Sequence, residues 1–442
     1  MNILILYDKH ATNTGTVFQH LDSFRKHSKF NYFYTHAQQK TLDIELKYFD
    51  VIIIHYSIRV AYKLLTKKTF KQISEFKGLK ILFVQDEYEH TNEVIKAIKS
   101  LNIKIFFTCV PKKYIQMIYP KKMFGAVDFV QTLTGYVSES NELNECKIIP
   151  IKNRERIIGY RGNNLAFHYG DLGQEKKIIA QKMKELCKKK NINCDISYEV
   201  RDRIYGKKWT EFLLNSKATL GTESGSNLFD YNGEYKRKFL KYLKKFPNAD
   251  YKLAKFEVLG SFKEKKIMNQ ISPRIFEAIE SKTALVLFEG VYSNIVKKNI
   301  HFIPLKKDFS NFDDVLDKLS DNDYLQCMVN RAFNAIVKTN KFTYKKFIGE
   351  LDSLIASKNI IPNSHNMNNP YYSSNALTKQ PISLKINLDN LYSFFDSDNL
   401  ARFFYIDNIV YFINVLITLV ARASPRWLKN YIKFLIKKKR KK

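Results

Sequence analysis

Four stretches of the chain combine residue types and spacings suited to a phosphorylated ligand. In "ERIIGYRGNN" (155–164) an apolar run ends in Gly159, Arg161 and Gly162. Glycine lets the backbone approach a ligand closely, and arginine offers a forked donor for phosphate. Shortly after, "GDLGQEKK" (170–177) opens a helix with Glu175, Lys176 and Lys177 in its expected first turn. Lysines there oppose the helix dipole, which an anionic ligand would explain; a solvated face is the plainer alternative. In "ATLGTESGSNLFD" (218–230) a strand runs into Glu223, Ser224, Gly225 and Ser226. A nucleophile elbow needs G-x-S-x-G, and "GTESG" sets Ser224 one place late, so a serine hydrolase is not expected. The remaining readings are a ligand-facing carboxylate with phosphate contacts, or a plain turn.

The fourth stretch, "SPRIFEAIESKTALVLFEG" (272–290), is the most informative. Ser272 suits an N-cap and Pro273 the first helical position. Arg274 then falls in the first turn, where phosphate is favoured, with Glu277 one turn on, where an acid can accept ribose hydroxyls. On the other half of the chain, "VQDEYEH" (84–90) clusters Asp86, Glu87, Glu89 and His90 after a strand. Asp86 is a candidate general base, and Glu87 and the Gly15 turn of "HATNTGTVFQHL" are further candidates on the same half of the chain. His55, alone at a strand end, reads as structural.

The elements that must position these residues repeat a simple pattern. Apolar runs at 2–7, 51–56, 80–85 and 103–109 alternate with segments of helical spacing, and the pattern restarts at 155–160, 193–198, 218–222, 283–290 and 300–305. Such alternation predicts parallel sheets covered by helices, here as two Rossmann-like domains facing across a crevice. The expected divisions are a first Rossmann-like domain at 1–145, a second at 150–345 with a helical insertion at 231–271, a helix and linker at 346–402, and a basic tail at 403–442. Ligands of such sheets bind beyond the carboxyl ends of the strands.

Composition narrows the partners. The 442 residues carry a formal charge of +31, and ten Lys or Arg with no acid fall in 422–442 alone. The surface therefore favours anions, and no nucleic-acid-binding module stands out, so no nucleic acid is expected as partner. The five cysteines are scattered without a C-x-x-C pair, which argues against zinc and disulfide frameworks and points to the cytoplasm. Residues 403–421 are apolar but interrupted by Asp407, Asn408 and Asn414, then Trp427, Tyr431 and Phe434 interleave with lysines. That is the pattern of an amphipathic helix lying on the inner, anionic face of the cytoplasmic membrane, with packing on the protein as the alternative.

The line "SPRIFEAIESKTALVLFEG" resembles the donor-site signature of GT-B glycosyltransferases, especially the retaining family 4 group, in which a helix of type "RxFEAxAxGTxVL" follows a phosphate-binding turn. "IGYRGNNLAFHYGDLGQEKK" is similar to an expanded form of their "VGR…EKG" segment. The resemblance covers about residues 150–310 by motif. It implies an acceptor domain at 1–145, with Asp86 as base for the acceptor hydroxyl and Gly15 and Glu87 on the acceptor side, and a donor domain at 150–345, in which Arg161 and Lys176 hold the donor diphosphate and Glu277 is the second acid of E-x7-E, on the ribose. Asn269 stands where the first acid belongs, and Glu223 is the candidate to supply that carboxylate, with Ser224, Gly225 and Ser226 around the phosphates. The implied enzyme moves a sugar from a nucleotide-sugar donor to a glycan or lipid-linked acceptor in surface polysaccharide or lipopolysaccharide assembly, with retention. Stabilising the leaving diphosphate with cations requires no metal or other cofactor. The D-x-D of Asp396 and Asp398 lies in the tail and reads as chance. The alternatives are an epimerase or phosphorylase on the same fold, or a non-catalytic binder of lipid or nucleic acid.

Overall fold

The computed structural model describes residues 1–138, 147–362, 370–371 and 377–381. The expected membrane tail and the Asp396 and Asp398 pair lie outside them. Among the described residues no helix is long and apolar enough to cross a membrane.

The first domain is built on six parallel strands in the order β2-β1-β3-β4-β5-β6: β1 (Asn2–Tyr7), β2 (Asn31–His36), β3 (Val51–Ile54), β4 (Leu79–Phe83), β5 (Ile105–Thr108) and β6 (Asp128–Gln131). The inner strands β1, β3, β4 and β5 are buried along their whole length, which is why they read as predominantly apolar runs, with Lys80 as the one charge among them. The two edges, β2 and β6, escape the sequence reading. "NYFYTH" and "DFVQ" carry polar residues because an edge strand is only partly covered.

The second domain has five parallel strands in the order β11-β10-β9-β7-β8: β7 (Arg156–Arg161), β8 (Cys194–Ser197), β9 (Ser216–Gly221), β10 (Ala284–Phe288) and β11 (Ile303–Leu305). Each sheet has an apolar cluster on both faces. The insertion after β9 folds into helices Glu234–Lys245 and Tyr251–Leu259 around Leu228, Phe239 and Ala254. Its base ties the domains together: the Asp230 N–H donates to the Tyr88 carbonyl at 2.8 Å and the Asn92 N–H to the Tyr231 carbonyl at 3.1 Å.

After the second domain the chain crosses back. Helix Tyr344–Ala356 packs on helix Gly15–His27, and its Phe347, Ile348, Leu351 and Ile355 join the core of the first domain. Asp352 fixes the crossing by accepting from the Ser28 hydroxyl (2.7 Å) and the Lys29 N–H (3.0 Å).

Candidate active site

A crevice of about 410 Å³ runs between the two sheets. Its second-domain wall is organised by helix Pro273–Glu280. Ile275, Phe276, Ala278 and Ile279 are buried beneath it, so the helical period leaves Arg274 and Glu277 on the face that lines the crevice. Ser272 occupies the N-cap in an extended conformation, yet its side chain makes no capping bond, and it too lines the crevice. The Glu277 carboxylate accepts from the Trp209 indole at 2.7 Å, and the Arg274 guanidinium stands over the Trp209 ring at 5.2 Å. Trp209 is the functional candidate that sequence reasoning passed over. Its rarity, one of two tryptophans, and its place in a short helix after a strand were the available signal.

Lys176 lines the same space. Burial, then the nearby charge of Arg274, pushes its amine down to about 8, while Asp86 pulls it up. Two cations thus crowd one region, and a bound anion would relieve both. The helix carrying Lys176 begins at Gly170, which puts Lys176 and Lys177 in its second turn instead of its first. The expected conflict with the helix dipole is therefore absent, and the case for Lys176 rests on its position in the crevice. Glu280, at the back of the crevice, accepts from the Ser138 N–H at 2.8 Å; burial and the charge of Glu277 push its carboxyl up to about 8.

Arg161 requires correction. The β7–β8 register sets Asp195 opposite Gly159, on the face Arg161 also occupies, and the guanidinium forks onto the Asp195 carboxylate at 2.7 and 2.8 Å. Its Nε donates to the Asp202 carbonyl at 2.8 Å and the group stacks over Phe212. These donors are held by protein, away from the crevice lining. Arg274, which donates to the Arg161 carbonyl, faces the crevice instead.

The loop after β9 also differs from expectation. Glu223 is 5% exposed and does sit beside Asn269, whose amide donates to it at 2.5 Å. Its other oxygen accepts the N–H groups of Val291 (3.0 Å) and Tyr292 (2.8 Å), so the carboxylate staples a neighbouring loop instead of facing a sugar. Ser226 is fully buried and bonds the Leu228 N–H at 3.1 Å, a turn contact. Gly225 has φ +109°, and a Cβ there would lie 2.2 Å from the Met268 carbonyl; close packing demands the glycine, not a phosphate. Ser224 alone of the four lines the crevice, its backbone paired with Gln270 at 2.7 and 2.9 Å.

The acidic loop after β4 divides similarly. Glu87 is fully buried and accepts from the Thr108 hydroxyl (2.5 Å) and the Cys109 N–H (2.7 Å), which removes it from the acceptor side. Burial pushes its carboxyl up to about 8. Glu89 is a domain latch, accepting from Arg59, Tyr62 (2.7 Å) and, across the domains, Tyr169 (3.0 Å). Asp86 keeps a side chain 51% exposed and takes a 2.7 Å bond from Tyr88. Enclosure by the surrounding protein pushes its carboxyl above the usual range, opposed by Arg59, raised further by Glu89 and opposed again by Lys176. Gly15 opens its helix at the crevice with no heavy atom within 4 Å of a would-be Cβ. His55 is fully buried, 3.0 Å from His20.

Among the described residues, Asp8, His10 and His36 form the group whose donor atoms, within 4.8 Å of one another, could hold a metal ion. Asp8 is already engaged by the His10 N–H and the Gln38 amide, and none of the three lines the crevice.

Two parallel α/β sheets, a crevice between them and a final helix returning to the first domain define the architecture. The fold is GT-B. No family model and no curated protein matches the sequence. Solved structures similar to it include an alpha-glucosyltransferase in complex with UDP-glucose and DNA containing an abasic site, at 10% identity and TM-score 0.49 over 80% of this chain and 99% of that one. T4 phage BGT in complex with its UDP-glucose substrate has 12% identity and TM-score 0.45 over 81% and 99%. TarM of S. aureus has 12% identity and TM-score 0.35 over 71% and 56%.

Proposed function

We propose that the chain is a glycosyltransferase that moves a sugar from a nucleotide-sugar donor, held in the second domain, to a glycan or lipid-linked acceptor met by the first. The observation that carries this reading is the convergence of Lys176, Ser272, Arg274 and Glu277 on one interdomain crevice. The bond from the sugar's anomeric carbon to the diphosphate breaks and the acceptor oxygen bonds to that carbon on the face the diphosphate leaves, so the configuration is kept. Lys176, Arg274 and the start of helix Pro273–Glu280 stabilise the charge growing on the leaving diphosphate. Asp86, whose carboxyl is pushed above the usual range and so is the stronger base, takes the acceptor's proton. Glu277 accepts the ribose hydroxyls, and Trp209 offers a ring beside them.

We place the reaction in surface polysaccharide or lipopolysaccharide assembly, with the basic tail 403–442 on the inner face of the membrane, without metal and with retention. The charge of +31 and the tail's lysine pattern support that setting.

The deciding experiment is thermal stability with UDP, GDP, ADP, CMP or dTDP, each with and without magnesium. A nucleotide at a hundred times its Kd should stabilise the fold by about 2.7 kcal/mol. A shift from one nucleotide, independent of magnesium and lost in Glu277→Ala and Arg274→Ala, supports the reading and names the sugar pool to test. Acceptor assays should then include lipid-linked glycans, free glycans and duplex DNA, with the product anomer read by NMR. No shift from any nucleotide would favour a non-catalytic anion-binding protein; turnover of free nucleotide sugar without acceptor would favour an epimerase.

A further inference from the structure

The first-domain wall of the crevice is formed by Asn13, Thr14, Gly15, Thr16 and Gln19, all uncharged. One cation joins that wall, and it comes from far along the chain. Residues 377–381 lie against the first domain, with Leu377 buried in its core. The Thr378 carbonyl accepts from the Thr12 hydroxyl at 3.0 Å, and the same hydroxyl accepts the Gln380 N–H at 3.0 Å. Thr12 is itself fully buried, so it clamps the backbone on both sides of residue 379. Lys379, between the clamped residues, is exposed, extends over the Phe18 ring at 4.9 Å and lines the crevice. No carboxylate among the described residues forms an ion pair with it.

We propose that Lys379 is a positioning residue for the donor diphosphate. It contributes a cation from the wall opposite Lys176 and Arg274, so that the diphosphate is held from both domains. This inference rests on the crevice being the donor site. An ammonium on a four-carbon stem suits that role, because it is a point charge that can follow a phosphoryl oxygen as the walls approach one another. The segment reading as linker in the sequence is thereby part of the crevice.

The test uses the full-length chain and compares Lys379→Ala, Lys379→Arg and Lys379→Glu with Arg274→Ala. Binding of inorganic pyrophosphate, and of the stabilising nucleotide as its diphosphate and monophosphate, is measured by calorimetry, with ligand-free melting recorded alongside. The expected result is unchanged melting and about tenfold weaker pyrophosphate and nucleoside diphosphate binding in Lys379→Ala. The monophosphate should lose less, Lys379→Arg should retain near-native affinity, and Lys379→Glu should lose about a hundredfold. If Arg274→Ala weakens binding while all three Lys379 variants match the native chain, the donor site stands and the role of Lys379 is overturned. If the native chain binds neither probe, the donor-site reading and this inference fall together.

Discussion

The start of helix Pro273–Glu280 and the loop after β9 border the same crevice, and both look chemically equipped in sequence, yet the helix presents its charged side chains there while the loop presents Ser224 and withholds Glu223. In the helix, backbone groups bond one another and the 3.6-residue period fixes which side chains face outward, so Arg274 and Glu277 keep to the crevice. A loop has backbone donors with no such partner. They recruit the nearest acceptor, and Glu223 is taken up by Val291 and Tyr292. A carboxylate in a loop is therefore weaker evidence of chemistry than one on a helix face, unless its neighbours' N–H groups are already bonded.

The sharpest way to break this contrast is to remove the two acids. Glu277→Ala should cut kcat/KM by at least a hundredfold with melting nearly unchanged, about 2.7 kcal/mol of transition-state stabilisation. Glu223→Ala should do the opposite, lowering stability by about 2–4 kcal/mol by stranding buried donors. Denaturant titration and steady-state kinetics on both variants check the pair; a soluble, stable but inactive Glu223→Ala protein would restore Glu223 to the chemistry.

The two arginines sharpen it further. Arg274→Ala should weaken nucleoside diphosphate binding about tenfold with little change in melting. Arg161→Ala should destabilise the second domain and leave affinity within about twofold, because its partner is Asp195. Calorimetry of both reverses the assignment if the affinities exchange places.

The pH dependence tests Lys176 on the same wall. With its amine at about 8, binding that needs the charged form should weaken about tenfold between pH 7.5 and 9, and the trend should vanish in Lys176→Met.

A pH-dependent stability effect contrasts the β4 loop with both. Between about pH 4.5 and 8 the folded chain holds a proton at Glu87 that the unfolded chain releases, so this group's contribution to stability falls as pH rises through that window. Glu87→Gln, which mimics the protonated group, should therefore stabilise more at pH 8 than at pH 5, by about 1–3 kcal/mol. Equal effects at both values would mean that Glu87 is ionised in the fold.

The strands of both sheet interiors were legible in the sequence because burial on both faces favours short, mainly apolar runs, and helix Pro273–Glu280 was legible from Pro273 and its period. The same period put Arg274 and Glu277 on one face without any knowledge of the rest of the chain. What sequence alone left open was partnership. The register of β7 with β8 decided that Arg161 meets Asp195, the loop at 290–292 decided that Glu223 is a staple, and the strand-end packing decided that Glu87 is buried while Asp86 is not. Local periodicity belongs to the chain and can be read from it. Which buried donor reaches which acceptor depends on residues tens to hundreds of positions apart, as with Thr12 and Thr378, and only the tertiary structure brings those together.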